Sequence, residues 1–300
     1  MKKIIVIGGS NHDIFLYAHQ NIKLNDSNPG YLKDSFGGVG RNIAENLARL
    51  NLSPTLITAI GKDTVGKEII ESGTQLGIRF DVIEVLLTPT YVAVVDQNKD
   101  MLVAVAAMDD LEKITADQFK DKLEVINQAD LVILDTNFNQ NVLEYLFNEI
   151  KIPIYVDAIS THKAQKIVPF YQKMHMLKLN LIEAKTLSHI KCNVKEDIEH
   201  IGSYFFKQGV KQVFITLGDQ GAYFFDGVTH RFISGRKIDV VNTTGAGDAF
   251  FAGVIYGTLN QINPLSCGMA AALITLKDSN AVSPFMSQDN LQQTIKEYQL

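Results

Sequence analysis

Residues 242–250 read NTTGAGDAF, a threonine pair and three small residues leading to an acid, and they open onto the apolar run AFFAGVIYGTL. That run has the length and composition of a helix, so Gly245, Ala246 and Gly247 fall at its N-terminus. Backbone N–H groups there have no intrahelical partner, and the helix dipole is positive. Small side chains let an anion come close, which suits negative charge developing on a phosphoryl group in transfer. Asp248 stands beside this anion hole, placed to accept a proton from an attacking hydroxyl. With a reference pKa of about 3.9 it is expected to be ionised at neutral pH and to be a modest base. Phosphoryl transfer tolerates that, because positioning and electrostatics carry most of its barrier lowering. Taken alone, the segment is also an ordinary helix start with an acid in its first turn.

A second glycine segment, GGVGRN at 37–42, opens another helix. Ile43, Leu47 and Leu50 fall at i, i+4 and i+7, with Ala44 and Ala48 beside them. Arg41, Glu45 and Arg49 lie elsewhere on its circumference, and Arg41 reads as a solvated helix residue. The segment has no GK[ST] ending, so no Walker lysine is present, and GGSNHD near the start lacks the GxGxxG spacing of a dinucleotide fingerprint.

The elements that must hold these loops are legible as short apolar runs bounded by turns: IIVIGG, TLITAIG, LVILD, IYVDA and VFITLG. Such runs suit strands buried on both faces of a parallel sheet with helical crossovers, hence an α/β fold. Two segments break the rhythm. Asn28-Pro29-Gly30 places Pro and Gly where a type II turn wants them. YVAVVDQNKDMLVAVA is a hairpin signal around Asp96 to Asp100, apolar on both alternating faces. Both are read as strands of a small appended sheet, within about 14–36 and 88–108, one face over a ligand and the other against a second subunit; the alternative is that they extend the main sheet.

Bulk properties narrow the partners. The chain has 300 residues, 46% of them hydrophobic, and a net charge of -5, which fits one large domain and leaves no basic field for nucleic acid. Cys192 and Cys267 show no CxxC spacing, so reduced, packed thiols are expected. The opening apolar run is only about five residues long, too short for a signal peptide. No run approaches the roughly 18 to 20 residues that cross a bilayer, and a cytoplasmic protein is expected.

GGVGRNIAENLARL and NTTGAGDAFFAG, about 200 residues apart and in this order, resemble the two signature regions of the ribokinase-like (PfkB) carbohydrate and nucleoside kinases. Asp13, after the first strand, precedes them, and an NxxE motif at Asn180 to Glu183 and TLGDQG at Thr216 to Gly221 come between them, so the resemblance spans essentially residues 1–300 as a single kinase domain. It implies a ribokinase-like three-layer sandwich with a mainly parallel central sheet plus a small β-sheet lid. It further implies that Asn11, Asp13, Gly38 and Asn42 bind acceptor hydroxyls and that Thr216, Gly218 and Gly221 lie near ATP. Asn180 and Glu183 are linked to magnesium and the phosphates, with water between Glu183 and the ion. As an isolated pair these two are equally helix-capping residues, and GDQG alone is more often a hairpin turn.

SNPGYLKDSFGGVGRNIAENLARL, DMLVAVAAMDDLEKIT and VDAISTHK resemble the pseudouridine kinase branch of the family, implying that ATP phosphorylates the 5'-hydroxyl of pseudouridine. Kinases for ribose, another nucleoside or a sugar phosphate remain the alternative within the family, and a non-catalytic binding regulator the alternative outside it. Most of the wider family has Asp at the position of Asn242, where the acid helps bind an activating monovalent cation. Asn keeps a carbonyl oxygen but loses the charge, so weak dependence on potassium is expected. The apolar outer face of the lid points to a homodimer.

Overall fold

The apolar runs do become strands, and the order in which they pair decides where the glycine loops meet. The computed structural model describes residues 2–192 and 194–300. Its strands are β1 (Ile4–Ile7), β2 (Asn11–Ala18), β3 (Gly30–Gly37), β4 (Thr55–Gly61), β5 (Arg79–Val85), β6 (Thr90–Val95), β7 (Met101–Ala107), β8 (Leu131–Asp135), β9 (Ile154–Asp157), β10 (Met174–Asn180), β11 (Gln212–Thr216), β12 (Gly221–Phe225) and β13 (His230–Ser234). Nine of them form one sheet in the order β13-β12-β11-β10-β9-β8-β1-β4-β5. Every pairing from β5 across to β11 is parallel, and only β12 and β13 run antiparallel to their neighbours. Two apolar layers sandwich the sheet. One side holds Ile5, Ile57, Phe119, Phe147 and Phe205, and the other holds Ile43, Leu47, Phe250 and Val254. Alternate residues of β1 go to opposite layers, which is why its sequence is apolar at every position.

The remaining four strands form a separate sheet, β3-β2-β6-β7. The chain leaves the main sheet at Gly8–Ser10, returns through Gly37 and Gly38, leaves again after β5, and returns at Met108. The expected hairpin is β6–β7, closed by Asp96, whose N–H bonds the Asp100 carbonyl at 2.9 Å and whose carbonyl accepts from Lys99 at 3.0 Å. It does not extend the main sheet. The type II turn at Asn28-Pro29-Gly30 does not form. Gly30 lacks the positive φ such a turn requires and is the first residue of β3, paired with Ala18; strand pairing has taken the glycine. β7 is exposed along its whole length, including Met101, Leu102, Val103 and Val105.

Two helices bring the signatures together. The helix Val39–Arg49 begins at Gly38, whose φ of 97° and tight approach to the Gly9 carbonyl exclude any side chain. It packs on the helix Ala246–Leu259, which begins at Gly245.

Candidate active site

Parallel α/β sheets present their ligand sites at the carboxyl ends of the strands. Here that edge carries Gly8 after β1, Asp135 closing β8, Asp157 closing β9, Asn180 closing β10 and Thr216 closing β11.

The two signatures touch at two of the residues singled out from sequence. Asn42, buried in the first turn of its helix, donates from Nδ2 to Asp248 Oδ2 at 2.8 Å across 206 positions of sequence. Its Oδ1 is buried without a hydrogen-bond partner. A buried orphan acceptor is uncommon and calls for an explanation; here it belongs to the same carboxamide whose Nδ2 holds Asp248. Asn11 and Asp13 lie on β2, at the root of the small sheet, and Asn11 Nδ2 donates to Asp13 Oδ1 at 2.5 Å. Burial raises the Asp13 carboxyl, and Asn11, His12 and Arg41 oppose that rise.

Arg41 departs from expectation. It is 5% exposed, with its guanidinium 2.9 Å from Glu45 and donating to the Phe36 carbonyl at 3.0 Å. Helical period alone put it on an outer face, but the small sheet folds over that face.

Asp248 is 9% exposed, at the third position of its helix. Burial and the neighbouring Asp157 carboxylate push its pKa up to about 7, against the pull of Lys178 and of the Asn42 amide. The expected ordinary, ionised carboxylate is thus replaced by an acid poised near neutrality, which improves it as a general base. In the segment expected to form an anion hole, the Ala246 N–H leans toward the Thr243 carbonyl at 3.4 Å, and the N–H groups of a first helical turn have no intrahelical partner.

Lys178, two residues before Asn180 on β10, is buried and paired with Asp157 at 3.0 Å. Burial lowers its pKa, but the surrounding carboxylates of Asp157, Asp248 and Glu183 outweigh this and hold it protonated. A Cβ on Gly247 would sit 2.9 Å from the Lys178 ammonium, so the cation lies directly beneath the glycine turn. Sequence reasoning missed Lys178, Asp157 and Asp135. The available signal was a charge at or near the end of an otherwise apolar strand, in LVILD, IYVDA and LKLN.

On the other side of the turn lies a cleft of about 500 Å³ lined by Thr216, Gly218, Gly221, Ala246 and Gly247, with Phe250, Met269, Leu273 and Leu276 as its apolar wall. Three of the proposed nucleotide residues and two of the anion hole thus share one cavity of ligand size. Asn180 and Glu183 do not line it. They form a capping box, Asn180 Oδ1 accepting from the Glu183 N–H at 2.9 Å and Glu183 Oε2 from the Asn180 N–H at 2.8 Å. Burial raises the Glu183 carboxyl. Among the described residues no group of three or more His, Cys, Asp or Glu could hold a metal, so a magnesium ion here would take most of its ligands from water and phosphate, as that ion prefers. Asn242 uses both ends of its carboxamide: Nδ2 donates to the Ser279 carbonyl at 3.0 Å and Oδ1 accepts from the Thr244 N–H at 3.0 Å.

The pfkB family carbohydrate kinase pattern matches residues 1–287. The chain belongs to this family. The chain is similar to the pseudouridine kinase of Escherichia coli, 34% identical over 262 residues, which cover 84% of this chain and 82% of that one. A ribokinase of Staphylococcus aureus is 28% identical over 280 residues, 86% of each chain. In fold the chain resembles an Arabidopsis thaliana ribokinase solved with ribose and ATP, with a TM-score of 0.85 over 99% of both chains at 22% identity. Family membership makes the protein a phosphotransferase acting on an alcohol group, with the ribokinase-like pairing of a large, mostly parallel sheet and a smaller separate one.

Proposed function

We propose that the chain is an ATP-dependent kinase that phosphorylates the 5'-hydroxyl of pseudouridine. The observation that carries this reading is the buried Asn42–Asp248 contact, with Asn42 Oδ1 left free for a hydroxyl, between an acceptor-side loop and a nucleotide-sized cleft. The identity to a pseudouridine kinase favours that acceptor.

In this mechanism Asn11, Asp13, Gly38 and Asn42 orient the ribosyl hydroxyls, and Asn42 holds Asp248 toward the one that reacts. Asp248 accepts the hydroxyl proton as that oxygen bonds to the terminal phosphorus and the bond to the nucleoside diphosphate breaks. The N–H groups of the Gly245–Gly247 turn and the Lys178 ammonium stabilise the charge on the transferring phosphoryl group. Thr216, Gly218 and Gly221 border the nucleotide. Asn180 and Glu183 would hold magnesium through water, and the ion would supply neutralisation of phosphate charge. The small sheet acts as a lid that excludes water, which otherwise competes as phosphoryl acceptor.

The two hydrogen bonds of Asn242, to Ser279 and from Thr244, hold an uncharged carboxamide in place, and the missing charge supports weak potassium dependence. The exposed apolar residues of β7 support a homodimer through the lid. Two free thiols support a cytoplasmic setting, and no described helix is long and apolar enough to cross a membrane.

The test is incubation with ATP, magnesium and a panel of pseudouridine, uridine, adenosine, ribose and fructose 6-phosphate, with products identified by mass. Preferred phosphorylation of another member would overturn pseudouridine as acceptor, and no transfer to any member would favour a binding protein.

A further inference from the structure

We infer that Asp135 is a positioning residue for the acceptor, acting through the two glycine loops that connect the main sheet to the small one; this rests on the kinase reading above. Its carboxylate, 1% exposed at the end of β8, belongs to neither signature and touches none of the residues assigned to the acceptor. Oδ2 accepts from the Gly9 N–H at 2.7 Å, the Gly40 N–H at 2.9 Å and Asn137 Nδ2 at 2.8 Å, while Oδ1 accepts from the Asn137 N–H at 2.9 Å.

Two of these donors decide its role. Gly9 lies in the only residues between β1 and β2, two positions before Asn11 and four before Asp13. Gly40 lies two positions before Asn42, just after the chain returns from β3. The loops are in backbone contact, Arg41 N–H bonding the Gly9 carbonyl at 3.1 Å, and a Cβ on Gly8 would fall 2.4 Å from Asp135 Oδ2. One carboxylate therefore fixes the outgoing and returning strands of the small sheet to the same point of the main sheet. A second layer steadies it, since Lys163 Nζ donates to Asn137 Oδ1 at 2.6 Å.

Charge-assisted hydrogen bonds are strong and directional, and no neutral side chain of this size can accept three from backbone N–H groups and a fourth from a carboxamide at once. Removing the carboxylate frees Asn11 and Asp13 to move relative to Asn42. The nucleotide cleft between β11 and the helix Ala246–Leu259 makes no use of this anchor, so the loss falls on the acceptor side. A group that merely stabilises the fold would disturb both substrates.

The experiment compares Asp135→Ala and Asp135→Asn with the wild-type protein, measuring KM for pseudouridine, KM for ATP and kcat, with a thermal melt to verify folding. Asp135→Ala is expected to raise the pseudouridine KM about thirtyfold while ATP KM stays within about twofold, the loss expected of an acceptor displaced by roughly an ångström. Asp135→Asn, which can still accept at the Oδ2 position, is expected to recover part of this, leaving a rise of about fivefold. Should Asp135→Ala fail to melt cooperatively, Asp135→Asn carries the test alone. Equal changes in the two KM values, or an unchanged pseudouridine KM in a folded variant, would overturn the inference. A wild-type protein that phosphorylates only another panel member would instead overturn the acceptor assignment, and the same KM comparison would then be made with that member.

Discussion

Replacing Asp248 by Asn tests catalysis and electrostatics in one molecule. The wild-type carboxyl is raised from 3.8 to about 7 by burial and by Asp157, so ionising it costs the folded state more than the unfolded one. The sign follows: the stability that depends on this proton is fully present below the unfolded value and is lost as pH rises through the folded one. Asn resembles the neutral acid and still accepts from Asn42, so the variant escapes that loss. A tenfold difference in proton affinity between the folded and unfolded states is worth about 1.4 kcal/mol, so Asp248→Asn should be more stable than wild type by about 4 kcal/mol at pH near 8 and by about 2 kcal/mol at pH near 5, over any pH-independent difference. Denaturant melts at the two pH values measure this directly. In parallel, kcat should fall about a thousandfold with ATP affinity nearly unchanged. Equal stability differences at both pH values would show that Asp248 is an ordinary ionised carboxylate, and substantial residual turnover would refute its role as base.

Other perturbations reach the same site from different sides. Gly247→Ala puts a methyl 2.9 Å from the Lys178 ammonium in a helical position that accepts alanine. The cation must shift, and kcat should fall about tenfold or more with little loss of stability; an unchanged kcat would remove Lys178 from the phosphoryl site. Potassium should raise the rate only weakly when it replaces other monovalent salts, and a strong, saturable activation would show that Asn242 still serves a cation. Shortening the hairpin at Asp96 to Asp100 should raise ATP hydrolysis by water or weaken acceptor binding, and no change in either would remove the small sheet from the closure mechanism.

Much of this architecture was legible because the chain states it locally. Strands buried on both faces are apolar at every position, and a hairpin announces itself with a polar turn between two β-rich runs. The glycine signatures were legible for the same reason, since small residues before Asn42 and Asp248 mark helix starts. What escaped depends on residues distant in sequence. Arg41 looks solvated until the small sheet is folded over its helix, and Lys178 looks like a surface charge until β10 is seen flanked by β9 and β11. The rise in the Asp248 pKa is likewise unreadable locally, because Asp157, almost a hundred positions away, helps cause it. Asn180 and Glu183 showed the opposite limit: a local capping pattern and a functional motif use the same letters, and the structure contains the cap.

The Asn42–Asp248 contact also bears on how the protein is made. Chains are synthesised from the N-terminus, and contacts of long sequence separation form late. β1 pairs with both β4 and β8, so the centre of the main sheet stays incomplete until Leu131 has left the ribosome. The small sheet and the acceptor loops, all within the first 107 residues, thus exist in the nascent chain long before Asp248 does. On the proposed mechanism a growing polypeptide holds the acceptor loops without their base, so phosphoryl transfer begins only when the helix Ala246–Leu259 docks.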